Sequence, residues 1–456
     1  MKRVNMLDGP ILGTLLKISL PIVASSVIQL GYNLIDMLWI GRLGSNAVAA
    51  IGAAGMYLWM GSSLTTIPRI GGQVLTGQKL GESDRDGAAG YALSSLRIAL
   101  VIGLAFGILN VLFDGPLIRF YQLTADETNQ MASQYHMITC GLIVFSVVSQ
   151  VLGGIFTAMG NTIINFRATV SGLVINLVLD PLLIFGVGPF PELGVIGAAL
   201  ATVIAQIAVF FIYTVAAGRD QHLFPYVKLF SHAPAGSVKK IITIGFPPAL
   251  QDCIFSGISM IISRIVAGWG DGAVAAQKVG TQIESISWTI ASGLTTALNA
   301  FTAQNFGAGN LPRIHKGFKT GSKMMIVWGI IVSAILIIFP EPLFRLFITE
   351  EDVIPIGVAY LQAVGAAELF SCMEGLSAGI LQGMGHTLPS AISGVSCTLL
   401  RIPLALILSA TSLGIYGVWW TISISMMLKG LILTIWLVLF MRKQNKALSA
   451  DGLAKA

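Results

Sequence analysis

The sequence predicts an all-α polytopic membrane protein with twelve transmembrane helices in two pseudo-symmetric six-helix bundles. Three observations predict it. Hydrophobic residues are 55% of the 456 and charged residues only 11%, where a soluble domain carries roughly 25% charged. The apolar residues gather into twelve runs long enough to span a bilayer. Residues also recur between the two halves at a nearly constant offset.

Composition comes first because it excludes the most. Length alone, at about 150 residues per domain, would suggest three soluble domains. A chain with so little charge cannot cover itself in water. A disordered chain, a secreted disulfide scaffold and a nucleic-acid-binding domain are excluded on the same ground. The net charge of +6 comes from basic residues placed between apolar runs, where they mark topology rather than a nucleic-acid partner. Cys140, Cys253, Cys372 and Cys397 lie inside apolar runs without CxxC spacing and read as small buried residues. The first apolar run begins near Leu15 and is about 25 residues long, a span rather than the short core of a cleavable signal.

A helical span needs about 20 apolar residues. Such runs lie near 15–40, 46–68, 87–113, 131–158, 163–187 and 194–217, and near 241–268, 272–300, 318–340, 357–383, 387–410 and 415–441. Only helices and closed barrels satisfy their backbone in lipid, and runs this continuous are helices. With the N-terminus inside, eighteen Lys and Arg fall in inner segments, from Lys2 and Arg3 through Lys228 to Lys455. Three (Arg42, Arg119 and Arg345) fall in outer loops, beside acids such as Asp126, Glu127, Glu350, Glu351 and Asp352. That asymmetry sets the orientation, and an even number of spans returns the C-terminus inside. The expectation is a multi-pass plasma (inner) membrane protein with both termini cytoplasmic.

The duplication is read from matched residues. Leu20-Pro21 recurs as Phe246-Pro247, Gly44 as Gly270, Ala47-Val48-Ala49-Ala50 as Ala273-Val274-Ala275-Ala276, Gln78 and Gly81 as Gln304 and Gly307, and Pro116 and Arg119 as Pro342 and Arg345, all 226 apart. Met159-Gly160 and Thr162 recur at 225, and Leu193-Gly194 and Gly197 at 220. Two six-span halves that both start inside are parallel repeats, an arrangement of transporters. The expected division is an N-lobe of residues 1–217, a polar cytoplasmic linker of 218–240 and a C-lobe of 241–456.

Ionisable residues inside a span are costly and mark function by default. Six acids qualify: Asp36, Asp180, Asp252, Glu284, Glu368 and Glu374. Ser26, Gln29, Asn33 and Asp36, spaced 3, 4 and 3, form one polar stripe on the first span. Neutral side chains would join helices more cheaply than Asp36 does. Pro21, below the stripe, removes a backbone hydrogen bond and marks a point of bending. Asn176 and Asp180 share a face of the fifth span, followed by Pro181. At 1.5 Å per residue, Asp36, Asp180 and Thr202 reach a similar depth. Such a set can share protons between close carboxylates or bind a hard cation through oxygen. Asn176 and Thr202 also fit ordinary interhelical hydrogen bonding.

The acid pair is not duplicated: Ile262 stands opposite Asp36, and Arg401 falls near the position matching Leu179. Instead Asp252, Ser256, Ser259 and Ser263 form a stripe on the seventh span, and Gln277, Thr281 and Glu284 one on the eighth. Glu368 and Glu374, six apart, do not share a face. Arg401 is the expected neutraliser of a second-half acid. No HExxH, Walker, GxSxG or cysteine cluster occurs, so neither an enzyme nor ATP drive is expected, and no cofactor.

These residues together resemble the multidrug and toxic compound extrusion (MATE) transporters over essentially the whole chain. The marks are Asn33-Leu34-Ile35-Asp36, Asn176 through Asp180-Pro181, Gly194 through Thr202, and the paired Gln78 and Gln304 segments. The first-half acids are similar to the DinF-type branch. That resemblance implies that Asp36, Asn176, Asp180 and Thr202 bind the coupling H+ or Na+, with Tyr135 beside Gln29 and Asn33 in the supporting polar network. It also implies that protonation of Asp36 bends the first helix at Pro21. Asp252, Glu284, Glu368, Glu374 and Arg401 are candidates for a C-lobe role. The function implied is a cation-coupled antiporter exporting amphipathic, often cationic, drug-like molecules, monomeric in the bilayer. The alternative is a flippase for a lipid-linked precursor, which would need a larger and more basic cavity than these acidic stripes offer.

Overall fold

The computed structural model of the chain describes residues 3–121, 123, 125–227, 234 and 236–454, with the backbone alone for Leu34 and 445–454. Lys2, Lys228 and Lys455 of the topology count lie outside the described residues, as do 228–233 and 235 of the expected linker. Among the described residues there are helices and no strands. In chain order they are α1 (Ile11–Gly41), α2 (Ser45–Gly81), α3 (Arg85–Leu112), α4 (Asp114–Arg119), α5 (Asp126–Gly141), α6 (Val144–Ala158), α7 (Thr162–Ile184) and α8 (Gly194–Gly218). After a 3-10 turn at Phe224–Tyr226 come α9 (Ser237–Ala267), α10 (Asp271–Gly307), α11 (Leu311–Ile338), α12 (Pro340–Arg345), α13 (Ile354–Gly383), α14 (Leu388–Leu399), α15 (Arg401–Ser409) and α16 (Ile415–Ala454).

Ten spans among the described residues are long and apolar enough to cross a bilayer, counting α14 with α15 as one, and the α5–α6 pair, bent by 43°, makes an eleventh. The twelfth expected span is α10. At 37 residues it is long enough, but Gln277, Lys278, Gln282 and Glu284 make its first half too polar to pass on composition. Large apolar side chains stand open all along the spans, Leu38 at 68% and Leu112 at 70% exposure. In water that surface would be untenable; in lipid it is the solvated face.

The repeat read from the residues reappears in the element bounds. α1 and α9 each have 31 residues, α2 and α10 have 37, α3 and α11 have 28, and α4 and α12 have six, each pair starting 226 apart. The local causes repeat too. Asp84 caps α3 by accepting from the Gly87 N–H at 2.8 Å, and Asn310 caps α11 by accepting from the Arg313 N–H at 3.2 Å, each satisfying a donor the helix cannot. Gly44 and Gly270 enter α2 and α10 at φ 101° and 96°, a region L side chains resist. The halves part company in two places. The fourth span is broken in the first half (α5–α6) and continuous in the second (α13). The fifth is continuous in the first (α7) and broken in the second (α14–α15), where Pro403 deprives the Leu399 carbonyl of its donor.

The chain divides into two compact units. One comprises Met1–Asn5 with Lys17–Ala249, the other Met6–Leu16 with Leu250–Ala456. The divisions pass through α1 and α9, so the opening residues of α9 pack in the first unit. There Ser237 hydrogen-bonds Ser94 at 2.8 Å, and a Cβ at Gly245 would lie 2.0 Å from the Ile67 carbonyl oxygen, which marks a close crossing of α9 on α2. The first unit's core gathers Val147, Val151, Ile155, Phe156 and Tyr213. The second unit's gathers Phe344, Leu361, Val364 and Trp419, with Tyr360 edge-on to Trp419 at 5.0 Å.

Candidate cation-binding site

In the first unit α1, α5, α7 and α8 bring their polar side chains to one place. Asp180 is fully buried and Asn176 is 5% exposed. One turn apart on α7, they are joined by the Asn176 Nδ2 donating to Asp180 Oδ1 at 2.7 Å. From α1, the Tyr32 hydroxyl donates to Asn176 Oδ1 in a short bond and stands 3.5 Å from Asp180 Oδ2. Asp36, one turn beyond Tyr32, lies within hydrogen-bonding reach of both Asp180 and Tyr32. Tyr135 of α5 is buried, reaches Thr202 of α8 and feels the charges of both aspartates. Asp36, Asn176, Asp180, Thr202 and Tyr135 thus lie in one cluster.

The chemistry follows from two carboxylates in a dry site. Ionised together, they would repel by about 4 kcal/mol at 4 Å and an effective dielectric near 20. A proton, or one monovalent cation, removes that repulsion. Two carboxylates, an amide oxygen and three hydroxyls are oxygen donors suited to a hard cation. No group of three or more His, Cys, Asp and Glu able to hold a metal ion occurs among the described residues.

Two of the expected network members stand apart. Gln29 Nε2 donates to Asn33 Oδ1 at 3.0 Å on an exposed part of α1, and no bond of either to the α7 pair is seen. The residue that bridges α1 to α7 is Tyr32, which the stripe argument passed over. Its signal was present, since Tyr32 and Asp36 are four apart on one face. Pro21 sits inside α1, which runs unbroken through it. Ser25 Oγ turns back to the Pro21 and Ile22 carbonyls at 3.0 and 2.8 Å.

The second unit uses its acids differently. Ile262, opposite Asp36 in the repeat, is buried in the apolar core. Glu284 accepts from the Tyr360 hydroxyl at 3.1 Å, which also meets Thr281 at 3.1 Å. Glu368, 2% exposed, accepts from Ser287 in a short bond, and Trp328 Nε1 donates to the same Ser287 at 3.2 Å. The other Glu368 oxygen has no partner. Thr281, Glu284 and Ser287 thus form one column on α10 facing Tyr360 and Glu368 on α13. Asp252 is exposed and belongs to α9.

Two cations stand near the inward acids of this unit. Lys429 meets Glu374 at 3.1 Å, both largely buried. Arg401 donates from Nε to Ser425 Oγ, lays its guanidinium over the Phe255 ring at 5.6 Å and lies within electrostatic range of Glu284 and Glu374. Arg401 starts α15 just past the break.

Comparison with known proteins follows the same lines. A family profile described as MatE matches residues 21–182 and 247–407. A Thermotoga maritima relative named probable multidrug resistance protein NorM is 27% identical, over 89% of this chain and 87% of its own length. A Shewanella oneidensis relative named FAD transporter is 28% identical, over 88% of this chain and 93% of its own. A solved structure described as the outward-facing conformation of a multidrug resistance MATE family transporter superposes with a TM-score of 0.90 at 22% identity, covering 98% of this chain and 99% of the other; at that identity it speaks for the fold.

Proposed function

This chain belongs to the MatE family, and from that premise we propose that it is a cation-coupled efflux antiporter of the DinF-like kind. It is an integral membrane transporter and not an enzyme. In the proposal, H+ or Na+ enters the first-unit cluster and is held by Asp36, Asn176, Asp180 and Thr202, with Tyr32 and Tyr135 in support. Small amphipathic, often cationic, molecules leave in exchange. The protein works as a monomer in the plasma (inner) membrane with both termini cytoplasmic.

The observation that carries the reading is the carboxylate pair divided between two helices. Asp180 is fixed on α7 by Asn176, while Asp36 rides on α1, a helix that holds a proline below the site. Occupancy by a cation removes the repulsion between the two helices, and vacancy restores it. An ion can then bias the position of α1 through a differential interaction, as a coupling ion must.

The test is transport in proteoliposomes of the purified protein, with a cationic dye and FAD as alternative substrates. A proton gradient and a Na+ gradient are imposed in turn. Substrate efflux that requires one of the two gradients supports the reading and identifies the ion. Efflux indifferent to both refutes antiport. Movement of a fluorescent lipid across the same vesicles, without dye efflux, would make the protein a flippase.

A further inference from the structure

The first unit carries a groove of about 310 Å³ between the start of α7 and the end of α8. Its wall is apolar, made in part by Ile164, Phe211 and Val215, and it is closed by two arginines, Arg167 and Arg219. Arg167 is the sixth residue of α7, and Arg219 directly follows α8. The two helices run antiparallel here, so both guanidiniums sit at one end of the groove. Phe211 lies eight residues before Arg219, about 12 Å deeper along α8 at 1.5 Å per residue. The groove thus has a cationic head and an apolar tail, pointing from the expected cytoplasmic face toward the membrane interior.

Neither guanidinium forms an ion pair among the described residues. Among the described residues no carboxylate lies within 4 Å of Arg167 or Arg219. The neighbouring acid, Asp220, is already engaged, its Oδ2 accepting from the backbone N–H groups of His222, Leu223 and Phe224 at 3.1, 2.8 and 3.2 Å. Arg3 lies within electrostatic range of both Asp220 and Arg85, so this end of the unit carries more positive than negative charge. Phe211 and Val215 are 58% and 49% exposed, so the groove wall is an open surface.

We propose that this groove is a binding site for one anionic phospholipid of the cytoplasmic leaflet, its phosphodiester between Arg167 and Arg219 and one acyl chain against Phe211 and Val215. Paired arginines match phosphate oxygens in a fixed fork geometry, and basic pockets between transmembrane helices on the cytoplasmic side take anionic head groups. An uncharged or zwitterionic lipid can fill the apolar part but leaves the two charges uncompensated. The inference stands on the groove and the span orientation, and does not depend on which ion drives transport.

The experiment is native mass spectrometry of the full-length detergent-purified protein given phosphatidylglycerol and phosphatidylcholine in equal amounts. Each basic group near an anionic surface contributes about fivefold in binding, so the two arginines predict a preference of about twenty-fivefold for phosphatidylglycerol. Arg167→Gln with Arg219→Gln should abolish that preference. Arg442→Gln with Lys443→Gln, which removes equal charge from residues that do not line the groove, should leave it intact. Val215→Trp keeps both charges but fills the groove, and should also abolish it. Equal retention of both lipids by the wild type would overturn the proposal. So would a preference that survives the paired arginine substitutions, or one that survives Val215→Trp, since the lipid would then be held by surface charge alone. Displacement of phosphatidylglycerol by millimolar inorganic phosphate would make the site a phosphate site and not a lipid site.

Discussion

Replacing Tyr32 by Phe removes one oxygen and nothing else from the cluster, so its effect can be worked from the geometry. The hydroxyl donates to Asn176 Oδ1 and stands 3.5 Å from Asp180 Oδ2, the hydrogen-bonded tie from α1 to α7. Asn176 is 5% exposed, so water does not readily replace the lost donor. A buried acceptor left unsatisfied costs about 1–3 kcal/mol. That shifts the equilibrium between docked and undocked α1 by about 5- to 150-fold. Amide hydrogen exchange of residues 22–40 in the purified protein reads this directly: protection should fall by that factor in Tyr32→Phe, while α7 changes less. Asn176→Ala should cost more, because it also strips Asp180 of the 2.7 Å donor. In the double variant the Tyr32→Phe effect should nearly vanish, since the two act on one bond. Unchanged protection of α1 in Tyr32→Phe, or full additivity in the double variant, would refute the account of how the helix is held.

Three further predictions rest on other parts of the molecule. Ser83 is the one non-glycine residue with positive φ among the described residues, at 61°, and its repeat counterpart is Gly309 at 68°; Ser83→Gly should raise thermal stability, by about 1 kcal/mol from relief of the left-handed backbone. Asp84 caps α3, and its carboxyl is held below the ordinary aspartate range first by the Gly87 N–H and then by Lys79, so the cap's contribution is complete above about pH 4 and fades as pH falls through the lowered value; Asp84→Ala should cost about 1 kcal/mol at neutral pH and flatten the acid limb of the unfolding profile. Lys429→Met removes the ion-pair partner of the largely buried Glu374 in the second unit, which should cost about 3–5 kcal/mol, and adding Glu374→Gln should recover most of it.

How much was legible in the sequence differs by kind of signal. The spans were legible because lipid imposes one rule, a long apolar run, and α10 shows the limit: its run at 272–300 carries a polar column that packs against α13, so it is the weakest of the twelve by composition. The repeat also fixed the register of the helix starts, since Gly44 and Gly270 or Asp84 and Asn310 answer the same local need for a turn or a cap. The breaks were not legible. A bend at α5–α6 and a break at α14–α15 arise within continuous apolar runs, and only the second has a proline to explain it. At the site, helical spacing and depth point to Asp36, Asn176, Asp180 and Thr202 as neighbours, because each carries a polar group where lipid allows none without a partner. Tyr32 was missed because an aromatic ring in an apolar run reads as packing until its hydroxyl is seen. Arg401 lies within electrostatic range of Glu284 and Glu374, but the direct contact to Glu374 is made by Lys429 of α16, a long-range pairing no local pattern encodes.

The central claim is that the Asp36–Asp180 pair couples an ion to substrate movement, and it is tested most directly by separating exchange from pumping. In proteoliposomes of wild type, Asp36→Asn and Asp180→Asn, dye exchange at equal concentrations on both sides is measured beside uphill efflux driven by the effective gradient. The account predicts that either substitution leaves exchange measurable and abolishes gradient-driven efflux, because the repulsion that the ion relieves is gone. Uphill pumping by Asp36→Asn at the wild-type rate would contradict it and leave the carboxylate pair without a coupling role.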